Sequence, residues 1–180
     1  KGVIIITGHF GAFELLSAWL GYNGYPIIGV AHRQRNLGAD QFSREQREMS
    51  GFGHIFRKEP IEKMYQVLSE GKMLGLVSDQ DAKNRGIFVN FLNQQASTPK
   101  GAAHFHKNTG APMVFITCTW QSSNKYEINC EKVISEPNDT VKDITQRYST
   151  ILEKIIKQSP EQYFWWHRRW KTKSIQNNGQ

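Results

Sequence analysis

No apolar run in this chain of 180 residues is long enough to span a bilayer. No signal peptide opens it, and no repeat or low-complexity segment interrupts it. Cysteine is scarce. Cys118 and Cys130 lack metal-ligand spacing and fall in neighbouring predicted strands, which suits buried thiols of a reducing compartment rather than a disulfide framework. Acidic side chains are also in short supply, 16 against 23 lysines and arginines, giving a formal charge of +7. That balance favours anionic partners: nucleic acid, phosphorylated lipid, an anionic membrane or an acidic protein.

What is present is organised around Thr7-Gly8-His9-Phe10-Gly11-Ala12-Phe13-Glu14. The apolar run from Val3 to Ile6 reads as a buried strand, and Leu15 to Leu20 as the body of a helix. His9 therefore sits where a strand ends and a helix begins, the usual ligand position in an open α/β sheet. On one regular helix, side chains five apart would be about 140° apart. His9 and Glu14 can meet only if His9 lies on the turn, for which Gly8 and Gly11 supply freedom. Glu14 would then accept a hydrogen bond from one ring nitrogen and leave the other as a general base. The same two residues also suit a plain helix start, with Glu14 at the positive end of the helix dipole.

Further along, Pro26 to Ala31 reads as a second strand leading into a basic loop with Arg33. Gln41 to Ser50 reads as a helix closed by Gly51. Its Arg44 and Arg47 share a face, fit either for phosphate or for solvent. Phe52 to Arg57 looks extended, and Pro60 opens a helix at its first turn. Met73 to Val77 is a buried strand ending at Ser78-Asp79-Gln80-Asp81. Two carboxylates there suggest a turn or an arginine partner more than a metal, since no third ligand is evident. Arg85 to Phe91 alternates as a strand or a lining segment, and Pro99 takes the first position of a helix whose His104 and His106 point apart as structural residues. Strands at Pro112 to Thr119 and Tyr126 to Val133 precede an amphipathic helix from Asp139 to Lys157. The stretch from Tyr163 to Lys171 interleaves aromatic and basic residues. It suits nucleic acid, a membrane interface, or an aromatic clasp with its arginines outside.

Strands and helices alternate, so the fold class is α/β. A single domain is expected over residues 1–173, built on a mixed, mostly parallel central sheet flanked by helices, with residues 174–180 as a disordered tail. The chain starts at Lys1, directly on a strand and without Met, so it is read as a fragment with upstream residues missing.

In order, the chain carries Gly8-His9-Phe10-Gly11-x-x-Glu14, Arg33, Asn36, Arg47, Gly51, Gly71, Asp79-Gln80-Asp81, Gly86 and Phe88-Val89-x-Phe91. Then come Thr98, Gly110-Ala111-Pro112, Pro160-Glu161-Gln162 and Trp166-His167-Arg168-Arg169-Trp170-Lys171. In these blocks it resembles the bacterial lipid A biosynthesis acyltransferases, the lauroyl/myristoyl group of the lysophospholipid acyltransferase-like superfamily. Ala12-Phe13 replaces that family's Asn-Trp, and Phe91-Leu92-Asn93 its Phe-Phe-Gly, departures that bear on acceptor and chain length rather than on reaction type.

The resemblance implies a glycerol-phosphate-acyltransferase-like fold and an O-acyltransferase. His9, held by Glu14, would deprotonate a hydroxyl of a membrane glycolipid such as a lipid A precursor. The oxygen would attack a thioester donor, acyl carrier protein or acyl-coenzyme A. It further implies no metal, no cofactor and no nucleic acid. Arg47 becomes a phosphate or oxyanion contact, with Arg33 and Asp79 shaping the cleft, and Phe88 to Phe91 either faces the acyl chain or simply packs. The setting would be the cytoplasmic face of a bacterial inner membrane, with the anchor in the missing N-terminal region. The competing reading is a non-catalytic module for anionic lipid or nucleic acid, using the basic loops and Trp165 to Lys171.

Overall fold

The computed structural model describes residues 1–174, so nearly all of the expected tail lies outside the described residues. Fifteen elements follow one another: β1 (Val3–Thr7), α1 (Phe13–Tyr22), β2 (Ile27–Ala31), α2 (Leu37–Met49), β3 (Gly53–Phe56), α3 (Glu62–Ser69), β4 (Met73–Val77), a 3₁₀ turn (Lys83–Arg85), β5 (Ile87–Phe91), β6 (Gln94–Thr98), α4 (Gly101–Thr109), β7 (Met113–Ser122), β8 (Lys125–Val133), α5 (Val141–Gln158) and a second 3₁₀ turn (Pro160–Gln162).

Six strands form one sheet in the order β3-β2-β4-β1-β7-β8. All neighbours are parallel except β8, which runs antiparallel to β7. The α/β class and the mostly parallel sheet therefore stand as expected. Side-chain alternation along β1 divides the core in two. Ile4 and Ile6 face α3, α4 and α5 with Leu74, Phe105, Ile144 and Leu152. Ile5 faces the other way, towards Leu16 and Leu20 of α1 and towards Phe52. The sheet is thus covered on both faces, as a parallel sheet requires.

Some local readings shift. Helix α2 starts a turn earlier than Gln41, because Asn36 caps it by accepting from the Ala39 N–H at 3.0 Å. Pro60 and Pro99 each precede their helix by two residues rather than opening it. Residues 85–91 do contain a strand, but β5 pairs only with β6, a strand hidden in the polar Gln94–Thr98. Leu92 and Asn93, with φ of 50° and 62°, form the tight turn between them. Cys118 is buried as expected, whereas Cys130 lies exposed on the edge strand β8. Helix α5 opens on a reciprocal Thr140–Asp143 capping box, and buries Ile144, Tyr148, Ile151, Leu152 and Ile156.

Candidate active site

Strands β1 and β4 are neighbours in register, with Thr7 opposite Val77. The Ser78 N–H donates to the Thr7 carbonyl at 2.9 Å and extends the ladder past the strand ends. That pairing carries His9 directly to Asp79, 70 residues further along. The His9 backbone N–H donates to Asp79 Oδ2 at 3.0 Å, and His9 Nδ1 lies 2.7 Å from Asp79 Oδ1. Asp79 is only 3 % exposed. A carboxylate that deep must be hydrogen-bonded to remain charged, and both of its oxygens are met by one residue.

The geometry fixes the chemistry of the ring. With Nδ1–H donating to Asp79, Nε2 keeps its lone pair. Phe13 packs edge-on against the imidazole with ring centroids 5.0 Å apart, and Phe164 closes the other side at 6.0 Å. The Gln80 amide nitrogen stands 3.4 Å from Nε2. A hydroxyl or carbonyl entering beside the base would meet that amide.

Glu14 is not the partner of His9. Gly11, at φ +57°, turns the chain, and α1 starts only at Phe13, which directs Glu14 towards α2. There it receives Arg47 Nη2 at 2.7 Å and Nε at 3.4 Å. Glu14 lies in the first turn of α1 and Arg47 in the last turn of α2, so each charge also suits its own helix dipole. The expected His9–Glu14 contact is replaced by two pairs, His9–Asp79 and Glu14–Arg47, whose residues His9, Glu14 and Arg47 line the same cleft.

Arg33 does not itself line that cleft, although its neighbours His32 and Gln34 do. Its guanidinium stacks on Phe56 at 3.9 Å and sits 3.5 Å from Asp40. The cations that do line the cleft are Arg57, Arg85 and Lys100, besides Arg47. None of the three meets a carboxylate among the described residues. They follow β3, precede β5 and precede α4, so only the folded topology gathers them.

The cleft holds about 600 Å³ and has one apolar arm. The arm runs between α1 and the sheet, walled by Leu16, Leu20, Ile27 and Phe52. Its floor is a register row, Ile5–Gly75–Gly29, in which two of three residues carry no side chain. Above Gly29 the Phe52 ring fills the space, since a Cβ there would come within 2.5 Å of it. Above Gly75 an added Cβ would just fit, in ordinary van der Waals contact with nothing closer than 3.5 Å. By contrast, Val89 and Phe91 of the Phe88 to Phe91 stretch are buried packing residues outside the cleft.

The segment after α5 straps the site in place. The Gly11 N–H donates to the Gln162 carbonyl at 2.9 Å, and the Phe164 N–H to the His9 carbonyl at 3.0 Å. Tyr163 is buried against Phe91, and burial together with the nearby Asp79 carboxylate pushes its phenol above the usual range. Arg169, read from sequence as an outer residue, is 2 % exposed. It donates to the Ser97 carbonyl at 2.8 Å and to Thr98 Oγ1. His167 Nε2 accepts the Asp81 N–H at 2.8 Å, which anchors the loop bearing Asp79 and Gln80.

Burial drives the His167 pKa below its ordinary 6.5, with Arg169 and His9 adding to the shift and Asp79 and Asp81 opposing it. Between the lowered value and 6.5 the unfolded chain binds a proton that the folded chain refuses. The stabilisation is complete above 6.5 and is lost as the pH falls below it. Urea midpoints are therefore expected to drop on acidification through that range. His167→Gln, which still offers an acceptor to Asp81, should flatten the drop. An equally steep drop in that variant would remove His167 from this role.

The chain was compared with known proteins. The model for "Bacterial lipid A biosynthesis acyltransferase" matches residues 1–172. The lipid A biosynthesis lauroyltransferase of Escherichia coli K12 is 29 % identical over 177 residues, covering 96 % of this chain and 57 % of the relative. The phosphatidylinositol mannoside acyltransferase of Mycolicibacterium smegmatis is 23 % identical over 150 residues, 81 % of this chain and 49 % of the relative. The lipid A biosynthesis palmitoleoyltransferase of E. coli K12 is 22 % identical over 178 residues, 97 % and 58 %. The chain thus spans half to three fifths of the length of these relatives. No helix among its described residues is long and apolar enough to cross a membrane. With the family model matched from the first strand through the strap that closes the cleft, this chain belongs to the bacterial lipid A biosynthesis acyltransferase family.

Proposed function

We propose that this chain is the catalytic part of an acyltransferase that moves a fatty acyl group from a thioester to a hydroxyl of a membrane glycolipid, a lipid A precursor being the leading candidate. What carries the proposal is one arrangement. The buried Asp79 holds a partly exposed His9 so that Nε2, 3.4 Å from the Gln80 amide, keeps its lone pair beside a cleft with an apolar arm. Nε2 takes the proton of the acceptor hydroxyl as its oxygen attacks the thioester carbonyl carbon. A C–O bond forms and the tetrahedral oxyanion appears near the Gln80 amide, a donor of the kind that stabilises such charge. The oxyanion collapses, the C–S bond breaks, and the proton on His9 passes to the departing thiolate. No enzyme nucleophile, metal or resident cofactor takes part in these steps.

Acyl carrier protein and acyl-coenzyme A are both anionic, which suits the unpaired Arg57, Arg85 and Lys100 around the cleft. We place the reaction at the cytoplasmic face of the bacterial inner membrane, where such donors and lipid acceptors meet. In this scheme the apolar arm receives the acyl chain, with Phe52 over Gly29 as its far end. Gly75→Ala should fold normally, because a Cβ there makes only ordinary van der Waals contacts at 3.5 Å and beyond, yet should raise the floor of the arm. Each methylene that no longer fits is expected to cost about 10-fold or more in kcat/KM. The preference should move to shorter donors. An unchanged chain-length profile would place the acyl chain elsewhere.

The test of the function is transfer from a radiolabelled acyl-acyl-carrier-protein into a bacterial lipid extract. A labelled lipid formed by this chain supports the proposal and delivers the acceptor for identification. No labelled lipid, either from the folded chain or from a version lengthened to the relatives' length, would contradict it.

A further inference from the structure

The aromatic-basic stretch near the end of the chain divides into two sets. Tyr163, Arg169 and Trp170 turn inwards as a clasp, while Phe164, Trp165 and Trp166 face solvent, Trp166 at 88 % exposure. Large aromatic rings left in water ask for an explanation when they lie together. These do. Gln162 makes a two-way bond with the Trp120 backbone, donating at 3.0 Å and accepting at 2.9 Å. That sets the exposed Trp120 beside the same strap. Phe164 lies against His9 itself. The Trp165 side chain packs on Tyr163 and donates to the Pro160 carbonyl at 2.7 Å, so its polar edge is satisfied while about half of it stays in water.

From Tyr163 onwards the strap carries charge of one sign, the exposed Glu161 standing just before it. From Tyr163 to the last residue there is no carboxylate side chain, while Arg168, Lys171 and Lys173 are exposed. Tryptophans beside cations that meet no carboxylate among the described residues, on a chain of net charge +7, match the interface of an anionic bilayer, where amphipathic rings settle at headgroup depth. A phosphate-specific pocket would need convergent buried donors, and Arg168 and Lys171 are both exposed.

We propose that Trp120, Phe164, Trp165 and Trp166, rimmed by Arg168 and Lys171, form the surface that seats this chain on an anionic phospholipid bilayer. The patch borders His9, so docking would bring the cleft to the level at which a lipid hydroxyl emerges. That consequence rests on the acyltransferase proposal, whereas the docking itself is measured without any reaction.

The experiment is co-sedimentation of the chain with phosphatidylcholine vesicles, with and without phosphatidylglycerol. The unaltered chain should pellet with the anionic vesicles, and its tryptophan emission should shift to the blue. Exchanging Trp165 and Trp166 together for serine should weaken binding by about 10-fold or more, from the apolar area lost. Arg168→Gln should weaken it by about 5-fold, on anionic vesicles alone. Tyr22→Ser serves as control. Tyr22 is 69 % exposed but closes α1, at the far end of that helix from His9, where the chain turns back into β2. His9→Asn should bind like the unaltered chain, which separates docking from catalysis. The proposal is overturned by any of three results: no vesicle binding, tryptophan variants that bind undiminished, or preferential capture of single-stranded nucleic acid that vesicles do not displace.

Discussion

His9→Asn is expected to lower the transfer rate by about 1,000-fold or more, the scale of a positioned general base, while the protein stays folded. Asparagine is chosen because its side-chain amide can stand where Nδ1–H stands. Asp79, 3 % exposed, would keep a donor in place of the 2.7 Å bond from the ring. Alanine would strip that buried carboxylate of its bond from the ring, and would confuse lost chemistry with lost stability. Thermal unfolding close to that of the unaltered chain, with transfer gone, separates the two. Substantial transfer by His9→Asn would mean that another group takes the proton, and would sink the proposed mechanism.

Asp79→Asn carries the second large effect. An asparagine at 79 can turn its NH₂ towards Nδ1, which then accepts, so the ring proton moves to Nε2. The base is thereby blocked with every heavy atom nearly in place. In a histidine held by an aspartate this kind of exchange has cost about 10,000-fold in another enzyme class, and a loss of at least about 100-fold is expected here. The Glu14–Arg47 pair should behave differently. Glu14→Gln and Arg47→Met each disturb the cleft wall through the same contact. Their effects should therefore not add, the double variant being no worse than the poorer single one. If Asp79→Asn retained most of the rate, Asp79 would be a structural partner of the turn and no more.

Much of this was legible in the residues. The apolar run from Val3, the glycines and His9 marked a strand-to-helix turn without any help from the fold. The run at Met73 to Val77 showed a strand ending in Asp79-Gln80-Asp81 in the same way. What the residues could not show was which strand ends are neighbours. The pairing of β1 with β4 rests on contacts between residues 70 apart, and nothing local favours Asp79 over Glu14 as the partner of His9. Glu14 looked right because it was near in sequence, yet Phe13 starts the helix and carries it round to Arg47. Strand β6 was missed for a simpler reason. Gln94 and Gln95 have low strand propensity, and its pattern lacks the apolar alternation of a core strand. Arg169 escaped because a charged side chain is presumed solvated, whereas backbone and hydroxyl acceptors at Ser97 and Thr98 wait for it inside. The apolar arm depends on two glycines brought side by side only by the register of β2 and β4.

The most direct test is the protonation state of the His9 ring, read by long-range ¹H–¹⁵N NMR on histidine-labelled protein at neutral pH. The account predicts a proton on Nδ1 and a bare Nε2. That pattern should persist in Glu14→Gln and be lost in Asp79→Asn. A proton on Nε2 in the unaltered chain, or a ring that responds to Glu14 and ignores Asp79, would contradict it.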